Sequence, residues 1–192
     1  MAATSKGEGV RVPERSVESS AAAVEWAAIV GGALAAVGIS IILFTLGSGL
    51  GLSTVSPRSF VSPSVATFGI VAGIWLIVTQ WLSSALGGYV AGRLRTKWVG
   101  IRTDEVFFRD TAHGFLAWAL ATVLMAAFFA LAATAVTAAP EATASVTVMP
   151  EVAEQARRAA ASFSFFTALS LLVGAFIGGV TGAIGGHHRD DN

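Results

Sequence analysis

Residues 164–186 read SFFTALSLLVGAFIGGVTGAIGG, and this stretch decides the fold. It places Gly174, Gly178, Gly182 and Gly186 at intervals of four residues, which puts them on one face of a helix. A Gly inside a helix costs about 1 kcal/mol relative to Ala, so a stripe of four needs a structural reason. In a bilayer the usual reason is the close approach of another helix. The stretch therefore predicts a membrane-spanning helix that packs through small residues.

The composition of the whole chain agrees with lipid as its solvent. Of the 192 residues, 54% are hydrophobic and only 12% are charged, and the mean hydropathy is +0.71. A soluble domain has about a quarter of its residues charged. The 12 basic and 12 acidic residues cancel, so bulk charge gives no reason to expect a nucleic-acid partner. The chain has no cysteine, which excludes disulfides, thiolate metal sites and a cysteine nucleophile.

Three further apolar stretches complete the predicted fold class. It is all-α, an integral membrane bundle of four transmembrane helices packed through small-xxx-small glycine faces. Each stretch is long enough to cross a hydrocarbon core of about 30 Å. The spans are predicted over residues 26–46, 68–92, 111–139 and 162–186. Residues 1–25 are predicted to form a flexible tail, and residues 187–192 a short polar tail.

Local signals set the expected helix ends. The run Gly47 to Gly51 is expected to loosen the first helix, and Asp110 with Thr111 to cap the third. Pro140 is expected to end the third helix. Pro150 is typical of a helix start and predicts an amphipathic turn that runs directly into the fourth span.

The glycine spacing also predicts which residues make helix contacts. Pairs four residues apart recur in the spans, and we expect helices of this chain, a second copy or another membrane protein to dock on them. The predicted packing residues are Gly31, Gly69, Gly73, Gly88, Gly92, Gly174, Gly178, Gly182 and Gly186.

The distribution of basic residues predicts the orientation in the membrane. The two tails and the central connection, residues 93–110, hold nine Lys and Arg, whereas the other two connections hold three. Because basic residues are retained on the cytoplasmic side, both termini are predicted to be cytoplasmic.

The central region is similar to a known group of proteins. The segments GGYVAGRLRTKW, residues 87–98, and RTDEVFFRDTAHGFLAWALATVL, residues 102–124, resemble small alphaproteobacterial membrane proteins of unassigned function that are often labelled "PhnA-like". In that group an acid precedes a His-Gly pair, matched here by Asp110, His113 and Gly114. The resemblance implies a bacterial inner-membrane location and supplies no activity.

Few residues are candidates for chemistry. His113 lies three residues after Asp110, so the two share a helix face and the acid is expected to favour the charged imidazolium. This pair could handle protons, or His113 could anchor a helix end. Gln80, near the middle of the second span, could line a polar path with Ser83 and Ser84 or join helices by hydrogen bonds.

These observations predict a protein that is not an enzyme and needs no cofactor or metal. The histidines and acids of residues 187–192 lack supporting groups for a metal site. No phosphate-binding glycine loop and no zinc-protease motif occurs in the sequence. The favoured function is a structural or interaction protein that associates with itself or a membrane partner through glycine-striped helices. The alternative is a small channel or transporter with a path near Gln80, Ser83, Ser84 and His113.

Overall fold

The computed structural model describes residues 24–54, 65–98, 100, 102–137 and 149–191. These residues form four α-helices and no strand, which confirms the predicted all-α class. All four helices are long and apolar enough to cross a membrane. The helices are α1 (Trp26–Thr54), α2 (Val65–Leu94), α3 (Thr103–Thr137) and α4 (Pro150–Asp190). The connection 141–148 and both tips of the chain, residues 1–23 and 192, lie outside the described residues.

The helices pack as an antiparallel bundle around the pair α2 and α4. This pair makes the most extensive contact, α1 packs on α2 and α3, and α3 also packs on α4. Among the described residues the backbones of α1 and α4 do not approach one another, and these two helices lie on opposite sides of the bundle. Contacts from Glu25 to Thr96 and from Gly186 to Asp110 place the start of α1, the end of α2, the start of α3 and the end of α4 together.

Both ends of the charged central connection are more helical than predicted. Helix α3 begins at Thr103, so Asp110 and Thr111 lie two turns inside it and do not cap it. Asp104 and Glu105 occupy its first turn, where they complement the helix dipole, and Arg109 bonds Glu105 one turn later. The predicted C-terminal tail is likewise helical as far as Asp190.

Helix α1 continues through the glycines that were expected to loosen it. Trp75 of α2 explains why, since its indole lies directly on Gly47 and its Nε1 donates to the carbonyl oxygen of Leu43 at 3.0 Å. An added Cβ at Gly47 would overlap the indole. This contact between helices outweighs the low helix propensity of glycine.

Helix α2 presents two adjacent small-residue stripes to two different neighbours. The stripe through Gly87 and Ala91 faces α1, where an added Cβ at Gly87 would lie 2.7 Å from Ala36 Cβ and 2.8 Å from the carbonyl oxygen of Gly32. One residue further on, the stripe through Gly88 faces α4. These stripes arise because small residues occur as doublets every four positions: Ser83-Ser84, Gly87-Gly88 and Ala91-Gly92.

Close packing is confined to one half of the bundle. Buried residues fall within 28–36, 79–95, 110–121 and 170–186, and we call the end of the bundle that holds them, residues 24–36, 79–98, 100, 102–121 and 170–191, the packed half. The remaining described residues, 37–54, 65–78, 122–137 and 149–169, form the open half, in which Gly73 is the one buried residue. The packed half contains the described ends of the chain, so the polar groups near those ends are held on a rigid base.

Candidate functional site

The glycine stripe of α4 lies against α3 of the same chain. An added Cβ at Gly178 would lie 2.9 Å from Trp118 Cβ, and one at Gly182 would lie 2.6 Å from the carbonyl oxygen of Asp110 and 2.8 Å from Gly114 Cα. At Gly186 it would overlap the Asp110 carboxylate. Real Cβ atoms do not approach other heavy atoms so closely, and all four stripe glycines are buried. The stripe is therefore already occupied by helices of its own chain.

The other predicted packing glycines differ in their surroundings. Added Cβ atoms at Gly88 and Gly92 would overlap the carbonyl oxygens of Gly178 and Gly182, and one at Gly174 would lie 2.6 Å from Gln80 Nε2. At Gly31 the nearest atom is Leu94 Cδ1 at 3.0 Å, and at Gly73 it is the Phe166 ring at 3.2 Å. Gly69 is different, because it is exposed and an added Cβ would meet nothing within 4 Å. Gly69 thus makes no close helix contact within the described chain.

A buried ion cluster joins three elements at the end of the packed half. Arg95, just after α2, bonds the Asp110 carboxylate of α3, and their side chains are 0% and 3% exposed. Arg189 of α4 lies 3.7 Å from the same Asp110 oxygen and donates to the carbonyl oxygen of Gly92 at 3.1 Å. We call Arg95, Asp110 and Arg189 the ion cluster. It fixes the end of α2 and the end of α4 to the second turn of α3.

Trp98 brings a third arginine, Arg109, close to the ion cluster. The guanidinium carbons of Arg95 and Arg109 lie 3.9 and 4.5 Å from the centre of the Trp98 ring, within cation–π distance. Arg95 Nη2 and Arg109 Nη1 are buried without a hydrogen-bond partner. The indole face is thus an additional contact for two guanidinium groups whose Nε atoms bond Asp110 and Glu105.

His113 ties the start of α1 to the same end of the bundle. It is 1% exposed, and its Nε2 accepts the backbone N–H of Glu25 at 2.8 Å. Its Nδ1 lies 2.7 Å from the carbonyl oxygen of Arg109, to which it donates when Nδ1 carries the proton. The Glu25 carboxylate in turn accepts from the backbone N–H of Thr96 at 2.7 Å.

The predicted pairing of His113 with Asp110 does not occur. Both share the early part of α3, but Asp110 binds Arg95 and His113 binds backbone groups. Nε2 faces the Glu25 N–H and Nδ1 faces the carbonyl oxygen of Arg109, so neither ring nitrogen bonds the acid. Among the described residues no three His, Cys, Asp or Glu side chains converge on a metal-sized site.

The polar residues of α2 do not line one path. Gln80 Nε2 donates to Ser84 Oγ at 3.4 Å on the same helix, and both lie on the stripe that faces α4. Ser83 lies on the adjacent stripe, one turn before Gly87, which faces α1. His113 binds Glu25 at the end of the bundle. Four other polar side-chain atoms of the described residues are buried without a hydrogen-bond partner: Thr79 Oγ1, Ser83 Oγ, Trp118 Nε1 and Thr167 Oγ1.

The open half contains an apolar cleft of about 660 Å³ between α1 and α2. Its walls include Phe44, Phe68 and Trp75, and Phe163 of α4 borders it. The Trp75 N–H is already donated to the carbonyl oxygen of Leu43 and the Ser48 O–H to that of Phe44, so neither donor is available to a ligand. The cleft offers apolar contact.

Comparison with protein-family models, curated proteins and solved structures finds no match to the chain. The resemblance to the alphaproteobacterial group therefore stays a prediction.

Sequence reasoning missed Arg95, Arg189, Trp98 and Glu25 as partners of the predicted residues. One signal was present, since each lies within a few residues of the end of an apolar span. Their pairing depends on the order of the helices in space, which the spacing along the chain does not reveal.

Proposed function

We propose that the chain is a non-enzymatic, multi-pass membrane protein of the structural or interaction type. The proposal rests on the contacts that the buried ionisable groups make within the bundle. Arg95 and Asp110 bind one another, and both His113 nitrogens bind backbone groups. Each bond joins two elements or two turns of the bundle. Groups used in this way support a fold rather than a reaction.

The contacts of the glycine stripe indicate where a partner would bind. Because the α4 glycine stripe is filled by α2 and α3, self-association would use the outer surfaces of the bundle instead of that stripe. The open half is the favoured region, since its helices have almost no core of their own and leave ring surfaces such as those of Phe128, Phe163 and Phe165 free to pack against another helix. We place the protein in a bacterial inner membrane with both termini cytoplasmic, as the resemblance and the basic residues predict.

A second copy of the chain is the partner to test first. Copies labelled with donor and acceptor dyes and reconstituted in liposomes are expected to show energy transfer that persists on dilution with lipid. Phe163→Ala with Phe165→Ala should reduce the transfer, whereas Phe107→Ala with Phe108→Ala, in the packed half, should not. Energy transfer at the level of random encounters would contradict self-association.

The alternative function is a small channel or transporter. The four unpartnered polar atoms favour it, because buried groups without partners in the chain are suited to bind water. Against it, the central part of the bundle holds no Asp, Glu, Lys or Arg, and ion pathways usually need charged rings, carbonyls or a proton relay. Liposomes containing the protein and a trapped pH-sensitive dye should show no proton flux above background. Rapid flux that Gln80→Leu or His113→Ala abolishes would establish the channel.

A further inference from the structure

We infer that His113 is a proton-sensitive latch that holds the start of α1 against the bundle only while its imidazole is neutral. The inference begins with geometry. Nε2 faces a backbone N–H, that of Glu25, and can accept it only without a proton of its own. Nδ1 faces a carbonyl oxygen, that of Arg109, and so carries the single proton of the neutral ring.

Protonation removes the bond at Nε2. The new N–H would point at the N–H of Glu25, and two donors repel. Loss of this bond also affects Thr96, because the Glu25 carboxylate accepts hydrogen bonds from the backbone N–H and the hydroxyl of Thr96. These three bonds connect α1 to α3 and to the segment after α2.

The charged groups around His113 are bonded to other residues. Arg95 and Arg109 both lie on Trp98, whose ring centre is 6.0 Å from that of His113. The Asp110 carboxylate on the same helix forms an ion pair with Arg95, and Arg189 of α4 lies nearby. The carboxylate of Glu25, just before α1, accepts the backbone N–H of Thr96. Both carboxylates thus have partners of their own, and the partner of Nε2 is the Glu25 N–H. Acidification should release the start of α1 while the ion cluster stays closed.

The latch can be tested on the full chain in lipid nanodiscs. His187→Gln with His188→Gln leaves His113 as the only histidine, and ¹⁵N labelling then reports which ring nitrogen holds the proton. At neutral pH we expect the proton on Nδ1. As the pH falls, Nε2 should gain a proton, and the exchange protection of the Glu25 amide should fall about tenfold in the same step, as expected for one lost hydrogen bond.

Two results would overturn the latch. One is a proton on Nε2 at neutral pH. The other is a Glu25 amide whose protection does not change while His113 titrates. His113→Phe keeps a ring beside Trp98 but has no acceptor, so its Glu25 amide should be unprotected at every pH. The amide of Ala91, in the packed interior of α2, serves as the internal control and should stay protected throughout.

Discussion

Asp110 and Arg95 form an ion pair that is closed off from solvent although they stand at opposite ends of the charged connection between α2 and α3. The pair draws the end of one helix to the second turn of the next. Arg189 approaches the same carboxylate from α4, so one acid organises the ends of three helices. Removing this acid leaves the buried Arg95 without its ion partner, whereas Arg189 keeps Asp190 at 2.8 Å.

We therefore expect Asp110→Ala to destabilise the protein strongly. Removing one member of a buried pair costs about 3–5 kcal/mol. Thermal unfolding in detergent is the measurement. Asp104→Ala is the matched control, because its pair with Arg102 is exposed and exposed pairs are worth about 0–1 kcal/mol. Equal stability of the two variants would show that the ion cluster does not hold the helix ends.

A second prediction concerns the pair itself. Replacing both members by apolar residues, Arg95→Met with Asp110→Leu, should recover much of the stability lost in Asp110→Ala, since no unpaired charge then remains buried. The measurement is the same unfolding experiment. A double variant less stable than Asp110→Ala would mean that Arg95 matters mainly through Trp98.

The open half offers a separate test at Gly47. An Ala there would displace the Trp75 indole and break its bond to Leu43, so Gly47→Ala should lower the unfolding temperature. Gly49→Ala is the control, because its added Cβ meets nothing within 4 Å. In a Trp75→Ala background the cost at Gly47 should largely disappear. If the cost stays the same in that background, the contact is not its cause.

The orientation in the membrane remains a prediction from the basic residues, and labelling tests it. Cysteines placed at Ser62 and Ser145, in connections outside the described residues, should react with an impermeant reagent added from the periplasm. A cysteine at Thr103, at the start of α3, should not react. The opposite pattern would reverse the proposed orientation while leaving the bundle intact.

The helices could be predicted from the sequence because apolar length and glycine spacing are local features. The four spans and the small-residue faces were visible without a structure, and Pro150 marks the start of α4 as expected. The ion cluster could not be predicted, because Arg95, Asp110 and Arg189 come together only once the helices have packed. The expected cap at Asp110 was wrong, because α3 begins two turns earlier, at Thr103.

The central claim is that α4 packs through its glycine stripe on helices of its own chain. The most direct measurement compares Gly182→Ala with Gly69→Ala in thermal unfolding of the purified protein. A single methyl group is added in both, against the Asp110 carbonyl oxygen and Gly114 in one and into open space in the other. We predict that Gly182→Ala loses about 1–3 kcal/mol through overpacking, whereas Gly69→Ala is unchanged or gains up to about 1 kcal/mol from its higher helix propensity. Equal stability of the two variants would contradict the claim.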